Sequence, residues 1–464
     1  MQRIPREPRG KVDPMRIIIV GAGQVGFHIC ERFSMEGQDV VLIDTDDKKL
    51  KRIERDLNIM TIHGSGASAR ILAEAGIAKT DLFIAVTDSD EVNLISCIMS
   101  SQYDVKTRIA RVRNQDFLEE GMFPDSKALD IDLIISPDQA MTDEIVSLCH
   151  ISAAFDMAKF ADGRLMLLGY MIREGNPRVG MTLDKLQQAH GSHHFIMTAI
   201  IRGRETIIPR GNDAIQAGDK IYIMVRREDI FRVEKFFHLS SKTPHKVFII
   251  GGGRIGYAVA RALEDLNIEV FLVESNRQRC EFLSENLGRT VVLNIDGLDA
   301  HDMLDEGIDQ ADLVISLTSN DSNNILSSLL AKHHGAKRCI TKITRHDFVP
   351  LLGPLGIDIA LSSRQVAASM ILRYIRRGAV GTVATIMNSD AEAMEIQVPI
   401  NQHFDNVALK DLNFPKGAII GAIVRGRKIL IPSGNTRVQA GDNLVVFFTR
   451  NATEMLEQYF GQDD

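Results

Sequence analysis

Four consecutive apolar residues, Ile17-Ile18-Ile19-Val20, follow Arg16 and stop at a glycine. Apolar positions then recur at helical spacing from Phe27 to Phe33. A second apolar run, Val40-Val41-Leu42-Ile43, ends in Asp44. The order is strand, glycine turn, helix, strand, acid. The same order returns 230 residues on: Lys246-Val247-Phe248-Ile249-Ile250 runs into glycines, and Val270-Phe271-Leu272-Val273 ends in Glu274. A repeat on this scale decides the architecture.

From Met15 to about Pro137 strands and helices alternate, which predicts a parallel sheet. The pattern places a charged helix over Lys48–Asp56, a short strand over Asn58–Ile62 and a helix over Ala69–Glu74. A strand over Asp81–Val86 stops at Thr87-Asp88-Ser89-Asp90-Glu91, Asn93 opens the next helix, and Arg108–Arg113 forms a fifth strand. A helix from Ser136-Pro137-Asp138 is apolar at Met141, Ile145 and Leu148. It leaves the sheet, so it either crosses to a partner subunit or packs on its own domain.

From Ile151 to Phe237 the pattern changes to short strands over Leu165–Met171, Phe195–Arg202 and Ile221–Val225, closed by a helix over Ile230–Phe237. The stretch Ile208-Pro209-Arg210-Gly211-Asn212 followed by Gln216-Ala217-Gly218-Asp219 recurs as Ile431-Pro432-Ser433-Gly434-Asn435 and Gln439-Ala440-Gly441-Asp442. The chain therefore reads as two copies of one two-part unit, α/β throughout. A polar, proline-containing leader, expected to be disordered, covers 1–14, and Met15 is a candidate true start. Doubly wound Rossmann-like domains cover 15–137 and 245–363. Linker helices cover 138–150 and 364–378, and small α+β domains cover 151–239 and 379–464.

The glycine turns carry the candidate chemistry. In Gly21-Ala22-Gly23-Gln24-Val25-Gly26 the first glycine allows the tight turn, the second lets a pyrophosphate approach the backbone, and the third lets helix pack on strand. The helix N-terminus offers free N–H groups to phosphate. Asp44 stands 18 residues past Gly26, near the spacing of about 20 for an acid that accepts ribose hydroxyls. Ligands of an open α/β sheet sit at the carboxyl ends of its strands, where Gly21–Val25, Asp44, Thr87, Asp88 and Arg111 all map. Arg111 reads as a phosphate clamp or, more plainly, as an edge-strand ion pair. The alternative for the whole turn is a vestigial Rossmann element that only packs. The second copy offers Gly251, Gly252, Gly253, Arg254, Ile255, Glu274, Thr318, Ser319 and Lys342.

Composition narrows the setting. With 464 residues there is room for about three domains of ordinary size. A net charge of −7 argues against non-specific nucleic-acid binding, which needs a basic field. No run approaches the ~18 apolar residues of a membrane span. Cys30, Cys97, Cys149, Cys280 and Cys339 are scattered and read as reduced, mostly buried thiols of a cytosolic protein. The adjacent pairs His193-His194 and His333-His334 lack the spacing of zinc ligands. The small modules show no base–nucleophile pair and no paired carboxylates, so no catalytic role is expected.

On the duplicated turns, Asp44 and Glu274, Thr87-Asp88-Ser89-Asp90-Glu91-Val92-Asn93, Arg111 and both Ile-Pro-x-Gly-Asn … Gln-Ala-Gly-Asp stretches, the chain resembles the cytosolic regulatory subunits of Trk-type potassium uptake systems. These are tandem members of the family of domains regulating potassium conductance, the RCK domains. The resemblance covers nearly everything after Met15. It implies NAD+ or NADH in the Rossmann units, with ATP or ADP as competitors. It also implies a homo-oligomer, tetrameric, on the cytoplasmic face of the inner membrane, gating a potassium transporter subunit of the TrkH or TrkG kind. By residue, Gly21, Ala22, Gly23, Gln24, Val25, Asp44, Thr87, Asp88 and Arg111 would form the first site. Many relatives carry Gly-Asp after the third strand, where this chain has Gly64-Ser65 and Asp296-Gly297; Ser322 replaces Glu91, and Lys342 replaces Arg111. Lysine is a point charge without the fork of arginine, which weakens the second site. Two rivals stay open: a nicotinamide-dependent oxidoreductase, and a regulatory subunit of another cation transporter or antiporter.

Overall fold

The computed structural model describes residues 14–35, 37–114, 117, 129–151, 153–190, 195–203, 205–239, 243–266, 268–345, 348–376, 383–385, 391–398, 406–412 and 414–460. The expected leader apart from Pro14, the His193-His194 pair and linker residues 240–242 lie outside them.

The first sheet contains β1 (Arg16–Val20), β2 (Asp39–Asp44), β3 (Met60–His63), β4 (Leu82–Ala85), β5 (Thr107–Arg111) and β6 (Leu133–Ile135). Their order is β3-β2-β1-β4-β5-β6, every pair parallel. Ile17, Ile18, Ile19 and Val20 are all buried because helices cover both faces. Those helices include α1 (Gln24–Met35), α2 (Asp47–Asp56), α3 (Ala69–Glu74) and α4 (Asp90–Ser100); α5 (Pro137–His150) follows the sixth strand. Helix α4 starts at Asp90 rather than Asn93, because the Ser89 hydroxyl caps it by accepting from Val92 N at 3.2 Å.

The first small domain has β7 (Asp156–Phe160), β8 (Leu165–Met171), α6 (Leu183–His190), β9 (Phe195–Arg202), β10 (Glu205–Ile207), β11 (Lys220–Arg226) and α7 (Ile230–Phe236). Its antiparallel sheet runs β10-β9-β11-β8-β7.

The second Rossmann domain repeats the first with β12 (Lys246–Ile250), α8 (Arg254–Glu264), β13 (Glu269–Val273), α9 (Arg277–Asn286), β14 (Val291–Leu293), α10 (Ala300–Asp305), β15 (Leu313–Ser316), α11 (Asp321–His334), β16 (Cys339–Ile343), α12 (Val349–Leu352) and β17 (Ile359–Ser362). The order β14-β13-β12-β15-β16-β17 matches the first sheet strand for strand. Then come α13 (Ser363–Arg376) and the last small domain, whose sheet holds β18 (Val383–Thr385), β19 (Ala391–Gln397), β24 (Asn443–Thr449), β21 (Ala418–Arg425) and β22 (Lys428–Leu430) in that order; β20 (Val407–Ala408) pairs β23 (Arg437–Val438) apart from it, and α14 (Thr453–Phe460) ends the described chain.

The chain divides into two compact units that do not follow the order of its domains. One is residues 1–140 with Arg364–Ile371; the other is Met141–Ser363 with the chain from Leu372 onward. Helix α5 thus spans the division, with Pro137–Ala140 in the first unit and Met141–His150 in the second. Within the second unit, Arg338 at the start of the fifth strand donates to Leu148 O at 3.4 Å and to Ala154 O, tying down the end of α5.

The two small sheets share a core in the second unit. Leu165, Leu167, Ala199, Ile201, Tyr222 and Met224 of one join Ala391, Ala393, Ala422, Val424, Val445 and Phe447 of the other. A Cβ on Gly421 would sit 3.1–3.3 Å from the Met224 and Thr198 side chains, so side chains of one sheet rest on the backbone of the other there. Ala161 N donates to Glu395 Oε1 at 2.7 Å, and Arg164 Nη1 to Arg427 O at 2.8 Å. The repeated Gln-Ala-Gly-Asp stretch has a structural role: Asp219 accepts two bonds of 2.8 Å from Arg202 and one from Gln216 N, and Asp442 does the same with Arg425 and Gln439 N.

One carboxyl in this unit is set apart by burial. Glu234, 4% exposed, accepts from Tyr170 Oη at 3.2 Å, and desolvation pushes its pKa from the ordinary 4.5 to about 7, against the pull of Tyr170 and Arg338. A carboxyl raised by folding stabilises the fold in its protonated form. That contribution is complete below about 4.5 and is lost as pH rises through about 7. Glu234→Gln is therefore expected to gain on the order of 2 kcal/mol over the parent at pH 8 and little at pH 5, by urea unfolding at both pH values. Equal effects at both would show that the carboxyl ionises freely.

Candidate functional site

The carboxyl end of the first sheet is assembled around Gly21. Its φ of +111° lies in the left-handed region, and a Cβ there would come within 2.9 Å of the Val86–Thr87 peptide. A Cβ on Gly26 would lie 1.8 Å from Gly21 O, so helix and turn approach as only glycine permits. A Cβ on Gly23 would meet nothing within 4 Å. Two glycines of the motif serve the fold, and the middle one faces free space. Val25 is buried and Gln24 exposed, so what Val25 offers a ligand is its backbone at the start of α1.

Asp44 latches the turn to the second strand: Oδ2 accepts from Ala22 N at 2.6 Å and Oδ1 from Asp46 N at 2.7 Å. Across the sheet, buried Asn93 fixes two strand ends at once. Its Oδ1 accepts from Thr87 N at 2.8 Å and Thr87 Oγ1 at 2.7 Å, while Nδ2 donates to Thr87 O at 3.1 Å and Arg111 O at 2.9 Å. Arg111 ends β5 with Nη1 3.3 Å from Asp88 Oδ1 and 3.4 Å from Thr87 O. Its Nε is buried with no hydrogen-bond partner among the described residues. Burial pulls the guanidinium pKa below its ordinary value, and the nearby Arg113 charge adds to that. Arg113, which the sequence reading did not single out, donates to Asp88 O. An under-paired cation at the same sheet end as an open glycine turn is a setting that favours an anion.

The second copy repeats this frame. Gly251 has φ of +110° and a Cβ there would meet Thr318 N at 2.9 Å; one on Gly256 would meet Gly251 O at 2.0 Å; one on Gly253 meets nothing. Glu274 accepts from Gly252 N at 2.9 Å and Asn276 N at 2.8 Å. Asn324 holds Thr318 N and Oγ1 at 2.7 Å and donates to Thr318 O and Lys342 O. Arg254 begins α8, Ile255 is buried, and Ser319 is exposed. All the residues named from the sequence therefore lie at one end of one sheet or the other. The asparagine pins were missed, although the six-residue spacing Thr87/Asn93 and Thr318/Asn324 occurs in both copies.

Among the described residues no helix is long and apolar enough to cross a membrane. The duplicated arrangement is that of tandem regulatory chains: the TrkA-N domain family matches residues 17–137 and 247–363, and the TrkA-C domain family matches 167–238 and 393–461. The Trk system potassium uptake protein TrkA of Halomonas elongata is 36% identical over 438 residues, 93% of this chain and 95% of its own. That of Haemophilus influenzae is 34% identical over 440 residues, 94% and 96% of the two chains. The chain belongs to the TrkA family of Trk system potassium uptake proteins. Among solved structures, the RCK domain of GsuK shares its fold with a TM-score of 0.60 at 18% identity, over 100% of this chain and 98% of that one. The GsuK channel bound to NAD superposes with a TM-score of 0.61 at 19% identity, over 98% and 80%.

Proposed function

We propose that this chain is a nucleotide-sensing regulatory subunit that gates potassium uptake through a membrane-embedded partner on whose cytoplasmic face it assembles as a homo-oligomer. Nucleotide sensing falls to residues 15–137 and 245–363, assembly and modulation to 151–239 and 379–464. The observation that carries the reading is the buried, unpaired Nε of Arg111 at the same end of the sheet as the open turn at Gly23. NAD+ or NADH fits there: Gly21–Val25 would hold the pyrophosphate, Asp44 the ribose hydroxyls, and Thr87, Asp88 and Arg111 the rest of the cleft. Family membership supports the transport role, and the fold shared with an NAD-bound channel supports the ligand. ADP and ATP present the same ribose and phosphates and would compete.

Asp44, with Asp46 and Asp47 after it, repels a 2′-phosphate, so the first site takes NAD(H) over NADP(H). Bound nucleotide acts by preferring one conformation, and near-complete reversal of an equilibrium needs about 5.5 kcal/mol of differential affinity, which several copies in a multimer can supply together. The oxidoreductase reading requires an acid–base group aimed at the nicotinamide and predicts consumption of NADH.

The test is nucleotide-dependent potassium flux in vesicles holding the chain and its transporter. Arg111→Ala is expected to cost about tenfold in nucleotide sensitivity, and Lys342→Ala about threefold, since lysine lacks the guanidinium fork. Equal losses would contradict inequivalent sites, and no loss from either would contradict gating.

A further inference from the structure

Beyond the acids, the two copies diverge in charge. Asp44-Thr45-Asp46-Asp47-Lys48-Lys49 holds three carboxylates and two ammonium groups; Glu274-Ser275-Asn276-Arg277-Gln278-Arg279 holds one carboxylate and two guanidinium groups. The formal charge of the stretch therefore goes from −1 to +1. The helix cap survives the change: Asp46 accepts from Lys48 N and Lys49 N, and neutral Asn276 accepts from Arg279 N at 3.0 Å. Asp47 pairs with Lys51 at 2.5 Å, whereas Arg277 in its place is 85% exposed beside Glu281. Lys49 is exposed. Arg279 in its place is half-buried against the turn: Nε donates to Gly252 O at 2.7 Å, and the guanidinium carbon lies 4.5 Å over the Phe282 ring, which leans on Tyr257. Its two terminal nitrogens have no hydrogen-bond partner among the described residues.

We propose that the second turn takes a 2′-phosphorylated adenine dinucleotide such as NADPH, with Arg279 binding the added phosphate and Arg277 strengthening the field, whereas the first turn excludes it. This rests on the dinucleotide reading of the Gly251–Gly256 turn. An arginine close to the acid that ends the second strand is what accommodates a 2′-phosphate in this fold, and a planar guanidinium donates to phosphate in pairs. Two backbone N–H groups hold Glu274 just as they hold Asp44, so the difference between the turns lies in the charges that follow the acid. Two nucleotide pools would then be read by one chain.

The experiment uses the full chain carrying Gly23→Val, so that binding reports the second turn, and titrates NADPH and NADH separately by calorimetry. About one NADPH per chain is expected to bind at least as tightly as NADH. Adding Arg279→Ala should weaken NADPH about tenfold and leave NADH within about twofold; Arg277→Ala should give a smaller loss in the same direction. NADH binding also reports that the turn is intact in each variant. NADH binding without NADPH binding overturns this proposal alone. Binding of neither overturns it together with the dinucleotide reading. Equal weakening of both ligands by Arg279→Ala would make the arginine a prop of the turn and overturn it as well.

Discussion

Gly23→Val is expected to weaken NADH binding at the first turn at least about a hundredfold while leaving the fold intact, because a side chain there occupies the space a pyrophosphate needs and strips about two charge-assisted N–H bonds from it. The neighbouring glycines make the contrast. A Cβ on Gly26 would lie 1.8 Å from Gly21 O, and Gly21 has a left-handed φ with backbone at 2.8 Å. Alanine at either is expected to damage the domain itself. At Gly23 nothing lies within 4 Å of the added carbon. NADH fluorescence titration paired with thermal melts separates the cases. Unchanged NADH affinity in a folded Gly23→Val protein would place the nucleotide elsewhere.

The second large effect concerns assembly. A half chain of residues 15–239 is expected to bind nucleotide yet run as a dimer in light scattering. In the full chain Leu165, Leu167, Ile201, Tyr222 and Met224 are buried in a core completed by Val424, Val445 and Phe447 from the other small domain. Cutting the chain bares that face, and each large apolar side chain returned to water costs about 1.5–3 kcal/mol. The simplest cover is the same face of a second half chain, related by a two-fold axis. A monomer at micromolar concentration would mean that the sheet closes over its own core.

Much of this was legible in the residues because it is local. Both glycine turns, both acids and the strands leading to them are encoded within about thirty residues each. Leu133–Ile135 escaped notice because three residues are too few to show a period. Asn93 reads in sequence as the opening of a helix; that it pins Thr87 and also Arg111 depends on a strand end 18 positions further on. The Gln-Ala-Gly-Asp repeat stood out, but its purpose needed Arg202 and Arg425, each 17 residues upstream of its aspartate. The continuation of α5 into the second unit had no sequence signal, since an apolar helix face does not name what covers it.

That exchange bears on how the protein is made. The first unit includes Arg364–Ile371 as well as everything up to Ala140. A ribosome adding roughly 5–20 residues per second needs on the order of ten to fifty seconds to travel from one segment to the other. For that interval the nascent first unit lacks a helix it will later contain, and the apolar surface awaiting it is open to chaperones or to another nascent chain. A stop codon anywhere before position 364 would therefore leave the first unit without that segment, although every residue of its sheet had been translated.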